Sequence, residues 1–394
     1  MENLPIVHVV NGRQKKLLQG HPWVYGNEIE RVEGEIEDGG LVTVVDFRGR
    51  YMGTGFYNSK SLITVRLLTH RQEEVTDELI ASRVKAACDY RRFVMNRPGT
   101  DSCRLIYGEA DRLPGVIADR FGGVIVLQVL ALGMERFTQT IADALLACEK
   151  PDCLLLQNDD AIRRKEGMEC FTRVLYGTLP EENIIHENGV KLAVDVLGGQ
   201  KTGYFLDQKD NHLFVRQFCK DARVLDCFSY IGAFALNAAA AGAKEVMAVD
   251  ISEAAVQLIE KNAALNGADI TAVCANCFDF LRAQVKAGEK YDVVVLDPPA
   301  FTKAHANMAS ACRGYKEIAL SAMRLLPAGG VLATHSCSYH MPEEVFVNTV
   351  LSAAQDLHRQ VRVITLRRQD IDHPVLAGYP ESHYLKSLWL QMLD

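Results

Sequence analysis

A chain of 394 residues with a formal net charge of −7 is long enough for two or three domains, each with its own core. The negative charge excludes a globally basic nucleic-acid-binding surface, so any RNA contact must come from a local patch. Eleven scattered cysteines, apolar runs too short to cross a bilayer and no signal-peptide pattern predict a cytoplasmic protein with reduced thiols and no membrane partner. The Cys-x-x-Cys pair, Cys274 and Cys277, has no second pair at zinc spacing, so no metal site is expected.

Residues 1–72 are predicted to form a small β-barrel. Segments rich in β-branched residues, 41–46 and 62–67, flank glycines at positions 49, 53 and 55. The basic residues of this segment form either an RNA-binding rim or a solvated face without a ligand. They are Arg13, Lys15, Lys16, Arg48 and Arg50.

Residues 73–185 are predicted to form an α+β domain with a mixed sheet. Apolar residues recur at helical spacing over 73–97, and Pro98-Gly99 ends that helix. Strands are expected at 103–107, 116–119, 124–130 and 153–157, with a second helix over roughly 135–148. Four arginines are interpreted either as partners of acidic neighbours or as RNA contacts: Arg91, Arg92, Arg97 and Arg104.

From residue 186 to residue 394 the pattern changes to apolar strands that alternate with helices. The predicted strands are 223–226, 245–250, 270–275, 291–297 and 330–336. The predicted helices are 231–242, 252–266, 277–287, 308–326 and 342–354. Repeated β-α units of this length predict a parallel, doubly wound sheet and hence a Rossmann-like α/β domain.

Three successive strand ends in this last domain predict a cofactor site. Asp226 begins a loop that leads through Gly232 into a helix, whose free N–H groups can hold a carboxylate. A single glycine disfavours a dinucleotide, which needs G-x-G-x-x-G. A carboxylate after the second strand suits a ribose diol, and the residues after the third suit an adenine, so we expect S-adenosylmethionine. The candidate contacts at these two strand ends are Asp250, Ile251, Asn276, Cys277 and Phe278.

The segment 198–208 precedes the first of these strands and mixes polar and aromatic residues. It is not a P-loop, because Gln200 occupies the position of the glycine before the lysine. We interpret it as a flap over the cofactor or the target base, with a plain β-turn as the alternative. Its candidate substrate contacts are Lys201, Tyr204 and Phe205.

Two further strand ends predict the chemistry. An Asp-Pro-Pro turn at Asp297 suggests methyl transfer to a nucleobase, and Cys337 follows the next strand. Cytosine C5 is a poor nucleophile, and addition of a thiolate at C6 activates it. Asp297, if protonated in a dry pocket, could assist by donating a hydrogen bond to ring N3. Pro298 and Pro299 would shape the base pocket and Phe301 could stack on the base, whereas the alternative for Cys337 is a buried small side chain.

The strings 20–24, 108–115, 199–208, 297–301 and 336–338 closely resemble the RlmI-like class I 23S rRNA (cytosine-5)-methyltransferases over essentially the whole chain. The resemblance implies a PUA-like RNA-binding domain, a central α+β domain and a methyltransferase domain, in a cytoplasmic homodimer that acts on ribosomal RNA. It implies Cys337 as the nucleophile. It also implies a set of cofactor contacts: Ser229, Tyr230, Gly232, Asp250, Asn276, Phe278 and Asp297.

The sequence departs from related patterns at two positions. Many RNA cytosine-5 enzymes outside this family carry a second Cys where this chain has Pro298, so the base that removes the C5 proton is unassigned. Asn276 stands where an Asp is common. Two alternatives stay open: methylation of a base nitrogen, which needs no Cys, and a catalytically silent RNA-binding ribosome assembly factor.

Overall fold

The computed structural model describes residues 4–95, 97–302 and 307–394. The N-terminal part forms a six-stranded barrel-like sheet in the order β2-β6-β5-β4-β1-β3. Its elements are β1 (Ile6–Val9), α1 (Gln14–Leu18), β2 (Trp23–Val24), β3 (Ile29–Glu33), β4 (Leu41–Val45), β5 (Tyr51–Tyr57) and β6 (Val65–Thr69). Strands β5 and β6 approach so closely that a Cβ at Gly55 would lie 2.2 Å from Arg66 O, which explains a glycine there.

The central part forms a five-stranded mixed sheet, β11-β10-β9-β8-β7, in which only β9 and β10 are parallel. Its elements are α2 (Asp77–Val94), β7 (Ser102–Tyr107), β8 (Val116–Phe121), β9 (Val124–Val129), α3 (Thr138–Glu149), β10 (Cys153–Asn158), α4 (Ala161–Lys165) and β11 (Phe171–Gly177). The predicted apolar stripe of α2 is buried at Ile80, Val84 and Cys88, and Thr76 caps the helix by accepting a hydrogen bond from Leu79 N.

The C-terminal part contains a seven-stranded sheet in the order β16-β15-β14-β17-β18-β20-β19. A hairpin and a short helix lead into it: β12 (Ile184–Glu187), β13 (Val190–Ala193) and α5 (Lys209–Val215). The sheet and its helices are β14 (Arg223–Cys227), α6 (Ala233–Ala240), β15 (Glu245–Asp250), α7 (Glu253–Asn266), β16 (Thr271–Cys274), α8 (Cys277–Ala287), β17 (Val293–Leu296), α9 (Met308–Leu325), β18 (Val331–Ser336), α10 (Glu343–Asp356), β19 (Val361–Arg367) and β20 (Lys386–Met392).

The predicted fold class, a barrel and an α+β domain followed by a Rossmann-like α/β domain, is confirmed. The expectation of a parallel sheet is wrong for the last two strands. Strand β20 inserts antiparallel between β18 and β19, because the connection 368–385 returns the chain to the end of β18 from which the site is built. The boundary expected after residue 185 falls inside β12.

The domains share buried contacts. One face of the central sheet, through Phe121 and Val126, packs in the same core as β13 and Leu236 of α6. The connection 368–385 packs against the central domain, where Arg104 N donates to Asp372 Oδ2 (2.9 Å). All four arginines of the cluster noted in the sequence form ion pairs: Arg91–Asp111, Arg92–Glu149, Arg97–Asp370 and Arg104–Asp119. Within the described ranges, no helix is long and apolar enough to cross a membrane.

Candidate active site

A cavity of about 330 Å³ opens at the carboxyl ends of β14, β15 and β17. Most of the residues predicted for cofactor and substrate line it: Ser229, Tyr230, Asp250, Ile251, Asn276, Cys277, Phe278, Asp297, Pro298, Pro299, Phe301, Tyr204, Phe205 and Cys337. Gly232 lies behind this lining as the N-cap of α6. Lys201 lines a neighbouring cavity instead. We call the first cavity the cofactor cavity.

Three residues of the loop from β14 to α6 have left-handed backbone conformations. Phe228, Tyr230 and Gly232 have φ values of 62°, 52° and 88°. Asp226 fixes the loop, because its Oδ2 accepts from Ser229 Oγ (2.5 Å) and from Ala235 N (3.2 Å). Burial raises the pKa of Asp226 to about 7, and its Oδ1 has no hydrogen-bond partner among the described residues.

Asp250 ends β15 with its carboxylate at the cavity. Oδ2 accepts from Tyr230 N (3.0 Å) and Oδ1 from Ser252 N (2.9 Å). A carboxylate oxygen can accept more than one hydrogen bond, so capacity for a diol is left. Ile251 is 68% exposed beside it, which gives an apolar surface that a planar ring could cover.

The polar side chain at the third strand end stabilises the start of a helix. Asn276 Oδ1 caps α8 by accepting from Phe278 N (2.9 Å) and Asp279 N (3.4 Å). Its carbonyl oxygen is therefore occupied, and its NH₂ group is the part left for an adenine. Cys277 is buried, and its Sγ accepts from Phe228 N (3.3 Å).

Asp297 follows β17, and its backbone N donates to Cys227 O (3.3 Å). Burial first and the charge of Asp207 second raise the pKa of Asp297 to about 7. A carboxyl group with that pKa is partly protonated at neutral pH and can donate a hydrogen bond. The ring of Phe301 packs on Tyr315 (4.7 Å between centroids) and Phe278 (5.8 Å), within the lining of the cofactor cavity.

The loop that carries Cys337 is fixed on both sides. Ser336 Oγ and Tyr315 OH are hydrogen-bonded (2.9 Å), and Ser338 Oγ donates to Thr302 O (2.8 Å). The buried Lys386 Nζ donates to Ser338 O (2.6 Å). Burial raises the pKa of the Cys337 thiol to about 11, against the opposing influence of the Lys201 and Lys386 charges.

The histidine before this loop does not assist the thiol. His335 is fully buried between the rings of Phe234 (5.1 Å) and Trp389 (5.9 Å). Burial lowers its pKa to about 3. It therefore stays neutral in the core. The positive charge near the thiol comes from Lys201 and Lys386, and the sequence gives no sign that either residue lies near Cys337.

The segment 198–208 is anchored to its surroundings. Tyr230 OH donates to Gly203 O (2.9 Å), and Thr202 Oγ1 donates to Asp119 Oδ2 (2.5 Å) in the central domain. Lys201 Nζ lies 3.4 Å from Asp207 Oδ2 and 4.5 Å from the ring centroid of Phe205. The hydroxyl of Tyr204 is buried beside His212 Nδ1 (3.2 Å), so only its ring is available to the cavity.

A second cavity of about 370 Å³ adjoins the first. Its lining comes from all three domains and includes Trp23, Tyr107, Lys201 and Tyr384. Cys337 lines both cavities. Among the described residues, no group of three or more His, Cys, Asp or Glu could hold a metal ion.

Family models match two parts of the chain. A model described as a PUA-like domain matches residues 7–70. A model described as an S-adenosylmethionine-dependent methyltransferase matches residues 125–369, which is more than half of the chain and begins inside the central domain.

Curated relatives are similar over nearly the full length. The chain is 42% identical over 388 residues to ribosomal RNA large subunit methyltransferase I of Klebsiella pneumoniae strain 342, and the match covers 97% of each chain. It is 42% identical over 384 residues to the protein of the same name from Enterobacter sp. strain 638, with 96% of this chain and 97% of the relative covered.

Solved structures show the same fold. A structure described as a SAM-dependent methyltransferase from Streptococcus mutans aligns with a TM-score of 0.84 at 20% identity, over 98% of this chain and 99% of that one. A crystal structure of a methyltransferase complexed with SAH has a TM-score of 0.84 at 19% identity, with the same coverage. At such identities the likeness concerns the fold alone.

Proposed function

Because the chain belongs to the S-adenosylmethionine-dependent methyltransferases, in the family whose curated members are named ribosomal RNA large subunit methyltransferase I, we propose that it methylates cytosine C5 in ribosomal RNA through a transient bond between Cys337 and ring C6. The observation that carries this proposal is the position of Cys337. Its side chain lines both the cofactor cavity and the second cavity. Asp297 follows β17, the strand that pairs with β18 before Cys337.

The lining of the cofactor cavity fits S-adenosylmethionine. The carboxylate of Asp250 suits the ribose hydroxyls, and the apolar faces of Ile251 and Phe278 suit the adenine. The loop 229–232 precedes a helix N-terminus, which suits the cofactor's carboxylate. When bound, the cofactor supplies an electrophilic methyl group on a positively charged sulfur.

The residues of this chain would act on the base in two stages. The Cys337 thiolate adds to C6, and the electron pair of the C5–C6 double bond becomes available at C5. Asp297 in its protonated form donates a hydrogen bond to N3 and stabilises the charge that develops on the ring. After C5 has taken the methyl group, a base that these residues leave unassigned takes the C5 proton. The C–H electron pair then restores the double bond and expels the Cys337 thiolate.

The electrostatics support the role of Asp297, and they leave the thiol of Cys337 mostly protonated in the free protein. The raised pKa of Asp297 keeps part of its population protonated near neutral pH. The ammonium groups of Lys201 and Lys386 oppose the effect of burial on the Cys337 thiol. Reactive cysteines need such a positively charged environment, because the thiolate is the nucleophile.

The experiment measures 5-methylcytidine in ribosomal RNA from a strain that lacks this protein, after incubation with the purified enzyme and labelled cofactor. We expect the wild type to form it, Cys337→Ala to form none, and RNA containing 5-fluorocytidine to trap a covalent adduct on Cys337. Cys274→Ala, at an exposed cysteine outside both cavities, is the matched control. Full activity of Cys337→Ala would favour methylation of a base nitrogen, and no methylation of any RNA would favour an assembly factor.

The homodimer and the cytoplasmic location implied by the resemblance are also proposals. Sedimentation of the purified chain would measure the first, and cell fractionation the second. A monomer at all concentrations would contradict the homodimer.

A further inference from the structure

The second cavity contains a row of side chains that the methyl-transfer reaction does not use. Tyr107, Ile117 and Gln128 stand side by side on β7, β8 and β9, because Tyr107 pairs with Ile117 and Ile117 pairs with Gln128. All three line the cavity. The central sheet thus forms one wall of the cavity, and Cys337 lies on the methyltransferase side.

Gln128 is the unexplained member of this row. Its side chain is 4% exposed, and it makes no hydrogen bond with any residue in the described ranges. Its amide atoms are not sealed in the core, because they retain access to the space of the cavity that the residue lines. Gln157 on the adjacent strand β10 is equally buried but lines neither cavity. Its Nε2 donates to Val196 O (3.2 Å), and its Oε1 is sealed in the core without a partner among the described residues. The amide of Gln128 is therefore available to a ligand in the cavity.

The other walls suit a flat ring. Trp23 of the barrel domain packs edge-on against Tyr379 (4.8 Å between centroids), and Tyr107 lies 6.3 Å from Tyr384. All four rings line the cavity. Aromatic walls of this kind stack unpaired bases of RNA with little dependence on sequence, and side-chain amides then read the polar edge of the base.

The charged groups favour a base over a phosphate inside the cavity. Asp160 and Glu381 contribute carboxylates, which repel a phosphodiester and keep acceptor capacity for base amino groups beside their contacts with Ile162 N (2.8 Å) and His21 Nε2 (3.2 Å). Arg104 also lines the cavity, but its guanidinium is buried and paired with Asp119. Lys201 is exposed where the cavity meets Cys337, and its ammonium group could attract the RNA backbone there.

We propose that this cavity binds the base of a nucleotide adjacent to the methylated cytosine, and that Gln128 hydrogen-bonds to the edge of that base. This inference rests on the proposed function, which brings an RNA strand to Cys337. The target ring must reach both Cys337 and Asp297, and Asp297 does not line this cavity. The cavity is therefore left for a neighbour of the target.

The test compares ribosomal RNA fragments that differ only at the nucleotides on either side of the target. We expect wild-type kcat/KM to depend on the base at one of these positions. Gln128→Leu keeps the volume and removes the polar edge, so it should lower kcat/KM about tenfold for the preferred base and abolish the preference. Cofactor affinity should stay unchanged. Gln157→Leu is the control, and it should keep the preference even if it lowers thermal stability.

A crosslinking measurement uses only the wild type and so does not depend on the folding of any variant. RNA with 4-thiouridine at the preferred flanking position should crosslink to a peptide containing Trp23, Tyr107 or Tyr384. Crosslinks confined to other surfaces, or a Gln128→Leu enzyme with the wild-type base preference, would overturn the inference while 5-methylcytidine formation still supported the proposed function. A wild type that forms no 5-methylcytidine would overturn both.

Discussion

The pH dependence of the reaction should report the protonation of Asp297. The mechanism needs this carboxyl protonated and the Cys337 thiol ionised, and their pKa values are about 7 and about 11. Below pH 7 the thiolate fraction rises tenfold per pH unit while Asp297 stays protonated. Between 7 and 11 the loss of the carboxyl proton cancels that rise. We therefore expect kcat/KM to climb up to about pH 7 and then level off.

The height of this plateau follows from the separation of the two pKa values. With four pH units between them, the reactive form is about one molecule in ten thousand of the free enzyme. Replacing Asp297 by Asn removes the titration but keeps an N–H donor for N3. In Asp297→Asn, kcat/KM should rise tenfold per unit from pH 6 through pH 9, without a plateau.

The assay is initial-rate transfer of labelled methyl groups to an RNA fragment between pH 6 and 9.5, with thermal unfolding followed over the same range. A wild-type profile that still rises tenfold per unit at pH 9 would refute the role of the protonated carboxyl. An inactive Asp297→Asn enzyme with normal RNA and cofactor binding would also refute it, because Asp297 would then act as the carboxylate.

Three further variants test single contacts. Burial raises the pKa of Asp226 to about 7, roughly three units above its ordinary value, so Asp226→Asn should raise the free energy of unfolding at pH 8.5 by up to about 4 kcal/mol. The wild type loses stability as pH rises from about 4 to about 7, because the folded protein resists ionisation of Asp226 in that range. The difference in the free energy of unfolding between variant and wild type should therefore narrow as pH falls from 7 to 4, as measured by denaturant titrations. Asp250→Ala should weaken cofactor binding about tenfold by calorimetry, and an unchanged Kd would contradict the ribose contact. Lys386→Met removes a positive charge that lowers the pKa of the Cys337 thiol against the effect of burial. Cys337 should therefore be alkylated several-fold more slowly by iodoacetamide at pH 8.5. An equal rate would show that this charge does not act on the thiol.

The sequence was most informative where function follows from local strand ends. Helix α8 begins and ends at the predicted residues, and the predicted strand ends at Asp250 and Asp297 lie at one cavity. Side-chain roles were harder to predict. Nothing in the string around Cys277 indicates that its Sγ accepts from Phe228 N, and nothing near His335 indicates that Phe234 and Trp389 enclose it. Those contacts depend on packing between distant segments.

The topology of the chain explains why the cofactor cavity could be predicted from the sequence and the second cavity could not. Asp297 and Cys337 follow β17 and β18, which are parallel neighbours with Leu296 opposite Thr334. Parallel strands place their carboxyl ends at one edge of a sheet, so consecutive β-α units suffice to predict that the two side chains are close. The second cavity needs the antiparallel insertion of β20, which returns Tyr384 to that edge, and the docking of a barrel and a mixed sheet that bring Trp23 and Gln128. No periodic pattern encodes such docking, so the second cavity beside Cys337 could be found only in the folded chain.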